Sequence, residues 1–256
     1  MSFQDRILAK KNREKIVMLT AYDYQIAKIL DETEIDLILV GDSLGMVVQG
    51  YRDTKKVTMD AMIYHTLAVA KGAEKTPIIG DMPIDSYNTT EDCLRNAERF
   101  LASGANGVKI EGCRPTIVRS LVRAGFPVMG HVGMLPQTAE AYRVKGKTPQ
   151  EAEKILDDSI ELDSLGVFSI VLECIPESLA KRITEQVKAP TIGIGAGRYC
   201  DGQVLVINDM LGLDTTFSPK FLKRYANLNI VVKNAISDFK EEVLKGKYPD
   251  KQHTYH

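Results

Sequence analysis

The stretch Leu37-Ile38-Leu39-Val40-Gly41-Asp42-Ser43 runs an apolar, strand-length segment directly into a carboxylate. The same arrangement returns at Ile78-Ile79-Gly80-Asp81, at Gly107-Val108-Lys109-Ile110-Glu111, and at Ser169 to Leu172 followed by Glu173. Short runs rich in β-branched residues predict strands. Where such strands alternate with amphipathic helices, an acid at the end of each one falls on a single rim of a parallel sheet or barrel, the rim on which barrel enzymes keep their chemistry.

Working outward, Ile16 to Leu19 reads as a first strand, followed by a helix whose apolar positions are Ile26, Ala27 and Leu30. After Asp42 the segment Gly45 to Val57 is too polar and irregular to be an element and has the length of a lid loop. Asp60 to Lys71 is the second helix, closed by Gly72, and Asn88-Thr89-Thr90-Glu91 predicts a capping box opening a third, with Cys93, Leu94, Ala97, Phe100 and Leu101 as its buried stripe. Pro115 to Ala124 is a further helix, and Pro127 to His131 a strand arriving at a histidine. A second long loop, Gly133 to Lys147, leads to Thr148-Pro149-Gln150-Glu151, an N-cap with proline at the first helical position. A helix with the stripe Leu179, Ala180, Ile183 and Val187 follows Pro176; strands are expected at Thr191 to Ile194 and Gly202 to Ile207. Eight such runs predict the α/β class and a (β/α)8 TIM barrel, a single domain over residues 1–256 with closing helices at about 217–247 packed outside it.

Composition narrows the function. With 33 basic and 34 acidic residues the net charge is -1, so no overall field draws nucleic acid or an anionic membrane. No apolar run approaches the roughly 18 residues of a spanning helix, and Met1 to Lys15 is polar and charged, which predicts a cytoplasmic protein. Cys93, Cys113, Cys174 and Cys200 are widely spaced and predict buried thiols rather than a disulfide framework or zinc site.

Asp42, Asp81 and Glu111 end consecutive strands, and three hard oxygen donors on one rim suit a Mg²⁺-type cation with open positions; capping of the following helix is the alternative for each acid alone. Ser43 either binds a substrate carboxylate or caps a turn. Lys109 and Glu111, two residues apart, share one side of their strand, so Lys109 is placed to pair with an acid, hold an anion or form a Schiff base. His131 is an acid, base or hydrogen-bond donor to a substrate oxygen, or a structural histidine. Glu173, beside Leu172, Cys174 and Ile175, is expected to be partly desolvated, which raises a carboxyl pKa towards that of a general base; pairing with Arg198 is the alternative. Gly193-x-Gly195-x-Gly197 falls where many barrels bind phosphate but equally fits a tight turn.

Six ordered motifs, among them Gly41-Asp42-Ser43-Leu44-Gly45-Met46, Gly80-Asp81-Met82-Pro83, Val108-Lys109-Ile110-Glu111-Gly112 and Leu172-Glu173-Cys174-Ile175-Pro176, resemble those of the ketopantoate hydroxymethyltransferase family. The resemblance implies a barrel of the phosphoenolpyruvate/pyruvate superfamily type, assembled as a homodecamer. It implies transfer of a one-carbon unit from 5,10-methylenetetrahydrofolate to 3-methyl-2-oxobutanoate, giving 2-dehydropantoate on the route to pantothenate and coenzyme A. Carried over, Asp42, Asp81 and Glu111 are Mg²⁺ ligands, Asp42, Ser43, Asp81 and Lys109 meet the oxo acid, and Glu173 accepts the proton. The segment Arg52-Asp53-Thr54-Lys55-Lys56 is more basic than the family pattern, and its Arg52, Lys55 and Lys56 are candidates to meet the folate's anionic tail. Three rivals remain: a carbon–carbon lyase or mutase of the same superfamily without folate, a Schiff-base aldolase on Lys109, and a non-catalytic barrel scaffold.

Overall fold

A computed structural model describes residues 1–255, and His256, the end of the polar tail, lies outside the described residues. The chain divides into two compact units, residues 1–206 and the remainder. In the first, eight parallel strands close in chain order into a barrel: β1 Ile16–Thr20, β2 Leu37–Val40, β3 Ile78–Asp81, β4 Gly107–Glu111, β5 Val128–Gly133, β6 Ser169–Glu173, β7 Thr191–Ile194 and β8 Gly202–Leu205. The ring is completed by β1 and β8, with Ile16 opposite Gly202 and Met18 opposite Val204. The helices of this unit are α1 Phe3–Ala9, α2 Tyr24–Glu32, α3 Leu44–Val47, α4 Met59–Gly72, α5 Thr90–Ala102, α6 Pro115–Arg123, α7 Pro149–Ser164 and α8 Glu177–Gln186. The expected (β/α)8 architecture is therefore the observed one.

Strand period 2 decides what fills the barrel. Ile16, Met18, Leu37, Leu39, Ile79, Met129, Val171, Ile192 and Val204, drawn from alternate strand positions, form one buried cluster. Helix α1 was not expected from a polar N-terminus. Ser2 and Asp5 cap it reciprocally, its Ile7 joins the barrel cluster, and Phe3 stacks edge-on against Phe168 at 5.4 Å. Just beyond it, the Lys11 ammonium donates to the Thr184 carbonyl at 2.8 Å and to Asp201 at 2.8 Å, tying the N-terminal segment to the approaches of β7 and β8.

Several local expectations shift. The loop after Asp42 opens with a short helix, α3, whose Gly45 to Val47 overlap the start of the expected loop. The cap of α5 is Thr89, whose hydroxyl accepts from the Asp92 N–H, one residue later than the motif suggested. Leu101, placed in the buried stripe of α5, is exposed, and Asn96 takes an interior position instead, donating to the Ser86 carbonyl at 2.7 Å. Gly72 does not terminate α4 in a left-handed cap. It is the last helical residue, and a Cβ there would lie 2.3 Å from the Tyr24 carbonyl, so the glycine permits α4 to pack against α2. The last strand stops at Leu205, and Ile207 begins a new helix.

The second unit comprises α9 Ile207–Met210, α10 Leu228–Leu244 and a 3-10 turn at Lys251–His253. Helices were expected from about residue 217; the observed one starts at Leu228, after a turn in which the Tyr225 and Leu228 N–H groups donate to the carbonyls of Met210 and Leu211. None of the residues of α10 is buried, and Ile230, Val231, Val232, Ile236 and Phe239 are exposed on it.

Candidate active site

The inward positions of β3, β5 and β6 carry core residues low in the barrel and polar residues one step higher. Ile79 is followed by Asp81, Met129 by His131, and Val171 by Glu173. The register sets Asp81 beside Lys109 and Glu111 beside His131. Asp42, Asp81, Lys109, Glu111 and His131 are all buried, while the Glu173 side chain keeps 19% of its surface. Two residues at this rim need particular backbone. Gly133 has φ +101, and a Cβ there would lie 2.3 Å from the Glu173 carbonyl. Cys174 takes φ +48 immediately after Glu173, an uncommon conformation for a side-chain-bearing residue, with its N–H donating to the Ile194 carbonyl at 2.8 Å.

Lys109 Nζ donates to Asp81 Oδ1 at 2.6 Å, and the Asp42 N–H donates to Asp81 Oδ2 at 3.2 Å. Gln137, from the loop after β5, stitches the remaining acids together. Its side-chain amide donates to Asp42 Oδ2 and to the Met82 carbonyl, each at 2.9 Å, its backbone N–H donates to Glu111 Oε1 at 3.0 Å, and its own carbonyl oxygen accepts from Tyr87 at 2.5 Å. Ser43 sits at the head of α3 without making a side-chain cap bond; its hydroxyl lies 2.8 Å from Tyr22 Oη, so the capping alternative is not what holds it. His131 Nε2 approaches Glu173 Oε2 at 3.2 Å and Nδ1 approaches Glu111 at 3.8 Å, yet neither ring nitrogen is aligned for a hydrogen bond. Arg198 pairs with Glu177 at 2.9 Å, which removes it as a partner for Glu173.

Burial and neighbouring charge together set the protonation states. Burial first, then the Asp81 carboxylate, pushes Asp42 up to about 7. Burial, against the pull of Lys109, raises Glu111 to about 9. Burial opposes the Lys109 ammonium, but Asp81, Asp42 and Glu111 outweigh it and hold its pKa above the ordinary value. A Schiff-base lysine needs the opposite shift. Burial and Lys109 together lower the His131 pKa, so the ring is neutral.

Three buried carboxyl groups thus face one ammonium, and Asp42 and Glu111 hold protons more tightly as a result; a divalent cation among them would favour the ionised form of all three. Their oxygens do not all converge within 4.8 Å of one another, since Gln137 stands between Asp42 and Glu111; a Mg²⁺ ion that keeps part of its water shell suits such a set. Among the described residues the group that does converge is Cys113, Asp158 and Glu161, where the thiol lies 3.5 Å from Glu161 and is pushed up to about 12 by burial and the two acids. That protonated thiol is a poor ligand.

A stability prediction follows from the signs. Between pH 7 and pH 8, above the range of His131 and below that of the thiols, the folded protein holds protons on Asp42 and Glu111 that the unfolded chain has lost, so stability falls as pH rises. In EDTA the melting temperature drops over that interval, and Glu111→Gln flattens the drop; a slope equal to wild type in the variant refutes the assignment.

Gln137 was the residue that sequence reasoning missed. A lone glutamine in a polar, proline-marked loop carries no periodic or spacing signal, and only its 1% exposure marks it as structural to the site. The Gly193–Gly197 segment is accounted for as a turn: Gly195 and Gly197 have positive φ, and Gln203 donates to the Gly197 carbonyl at 2.9 Å.

Known proteins share both halves of this picture. In fold, the chain is similar to phosphonopyruvate hydrolase crystallised with oxalate and Mg²⁺ (TM-score 0.65, 12% identity, covering 99% of this chain and 93% of that one). It is likewise similar to 2,3-dimethylmalate lyase, a PEP mutase/isocitrate lyase superfamily member (TM-score 0.62, 14% identity, covering 99% and 92%). In sequence, it is 49% identical over 252 residues to the 3-methyl-2-oxobutanoate hydroxymethyltransferase of Caldicellulosiruptor saccharolyticus, covering 96% of each chain. It is 50% identical over 254 residues to the enzyme of that name from Heliobacterium modesticaldum, covering 96% of this chain and 92% of the other. Residues 2–251 match the sequence profile of ketopantoate hydroxymethyltransferases. With the rim acids standing in a closed parallel barrel and the match running nearly end to end, the chain belongs to the ketopantoate hydroxymethyltransferase family.

Proposed function

We propose that the protein transfers a hydroxymethyl group from 5,10-methylenetetrahydrofolate to 3-methyl-2-oxobutanoate, forming 2-dehydropantoate for pantothenate and coenzyme A synthesis. The observation that carries this reading is the meeting of Asp42, Asp81, Lys109, Glu111 and Glu173 at one barrel mouth in a chain of this family. Asp42, Asp81 and Glu111 would hold Mg²⁺, which when bound supplies Lewis-acid polarisation of a 2-oxo acid. Lys109 spends one N–H on Asp81 and keeps two for the substrate's carboxylate and developing oxyanion. Ser43, steadied by Tyr22, orients the same carboxylate. Glu173 takes the C3 proton onto its carboxylate, the C3–H electron pair becomes the enolate that attacks the folate's one-carbon unit, and water then supplies the product's hydroxyl as the carbon–nitrogen bond to tetrahydrofolate breaks. Neutral His131 lies within 3.2 Å of Glu173 at the rim, without a hydrogen bond between them.

The exposed apolar residues Ile230, Val231 and Val232 supply a surface for self-association, in keeping with a homodecamer, and a cytoplasmic location accords with free thiols; among the described residues no helix is long and apolar enough to cross a membrane. The test is ¹H NMR of 3-methyl-2-oxobutanoate in D₂O, with and without Mg²⁺, followed by addition of 5,10-methylenetetrahydrofolate. Mg²⁺-dependent loss of the C3 proton and folate-dependent appearance of 2-dehydropantoate are expected. Exchange without product from any folate would favour a folate-independent lyase.

A further inference from the structure

Outside the barrel mouth, a cavity of about 500 Å³ opens between the segment at Lys55–Met59 and one face of α5. Asp92, Arg95, Asn96 and Arg99 line it from the helix, at the spacing that puts residues on a single side. Its basic residues, Lys55, Lys56, Arg95 and Arg99, outnumber its acids, Asp85 and Asp92.

The cations are incompletely used. Lys56 has no carboxylate partner among the described residues and only lies over the Tyr51 ring, 5.8 Å from its centre. Arg95 pairs with Asp92, and Arg99 pairs with Asp60 and reaches Asn96 at 3.4 Å, so each guanidinium retains free N–H donors. Four residues of helical rise set Arg95 and Arg99 about 6 Å apart along α5. A ligand with several carboxylates in a row matches that spacing better than a single small anion.

The cavity is also wired to the reaction centre. Lys55 Nζ donates to the Ala139 carbonyl at 2.9 Å, two residues beyond Gln137, which binds Asp42 and Glu111. The wall between them is the loop after β3: Ser86 faces the cavity, while its neighbour Tyr87 donates to Gln137.

We propose that this cavity is a polyanion subsite that receives the γ-linked glutamate tail of the folate co-substrate, an inference that rests on the folate-dependent reading above. Arg52, named with Lys55 and Lys56 from sequence, does not line it, and its place is taken by Arg95 and Arg99 of α5. Each added glutamate brings one carboxylate to a row of cations, so affinity grows with tail length and is weakened by salt.

The experiment compares 5,10-methylenetetrahydrofolate with one and with three glutamates, in wild type and in Lys56→Gln/Arg95→Gln. Both positions are exposed, and oxo-acid proton exchange, which needs neither, reports that the variant is folded. In wild type KM for the triglutamate is about tenfold below that for the monoglutamate; in the variant it rises by about tenfold while monoglutamate KM, kcat and proton exchange stay within twofold. Equal KM values for the two folates in wild type, or equal changes of both in the variant, overturn the assignment. If the folates are equal while inorganic diphosphate still binds wild type and not the variant, the subsite serves a free anion and the tail assignment is wrong. Product from neither folate, with exchange intact, breaks the folate reading itself and the tail with it.

Discussion

Exchange of the C3 proton of 3-methyl-2-oxobutanoate falls by about 10²–10⁴-fold when Glu173 is changed to Gln, the usual cost of losing a positioned general base. Glutamine keeps the shape of the side chain, and Glu173 is the least buried of the rim acids, so the fold should tolerate the change. KM for the oxo acid moves little, because carboxylate binding is assigned to Lys109 and Ser43. Exchange and hydroxymethyl transfer fall together if one proton removal precedes the carbon–carbon bond. A variant that exchanges at the wild-type rate would move the base elsewhere on the rim, His131 being next in line at 3.2 Å.

Lys109→Met is expected to be the most destabilising single change at the site. Lys109 and Asp81 are 7% and 2% exposed, and breaking such a pair strands a buried carboxylate at a cost of about 3–5 kcal/mol. Removing the second charge as well, in Lys109→Met/Asp81→Asn, recovers most of that stability, because a neutral amide still accepts the Asp42 N–H. Both variants are inactive. Denaturant midpoints read with the exchange assay separate the two roles; a double variant as unstable as the single one would show that the loss does not come from a stranded Asp81 carboxylate.

The barrel and its rim acids were legible because both rest on period. Strand period 2 carries Ile79 to Asp81 and Val171 to Glu173 on one inner face, and strand order alone makes Asp42, Asp81 and Glu111 neighbours. What lay outside period was not legible. Gln137 reaches the acids from a loop whose path depends on the Tyr87 and Met82 contacts, set by residues about 50 positions away in the chain. The helix α1 is short, and its Ile7 is recognisable as interior only against a completed barrel floor. Gly72 ends α4 where the sequence places the stop, but the reason was not legible: close approach to the Tyr24 carbonyl writes the same letter as a left-handed cap.

The closure of β1 against β8 also fixes when the molecule can be finished. Ile16 waits for Gly202, and Lys11 for Asp201, so one edge of the first strand stays open until almost the whole barrel has left the ribosome. Such long-range pairing is slow to form. A nascent chain stalled before residue 202 carries a hydrogen-bonding edge and an uncovered apolar floor, the two features that recruit chaperones or other unfinished copies.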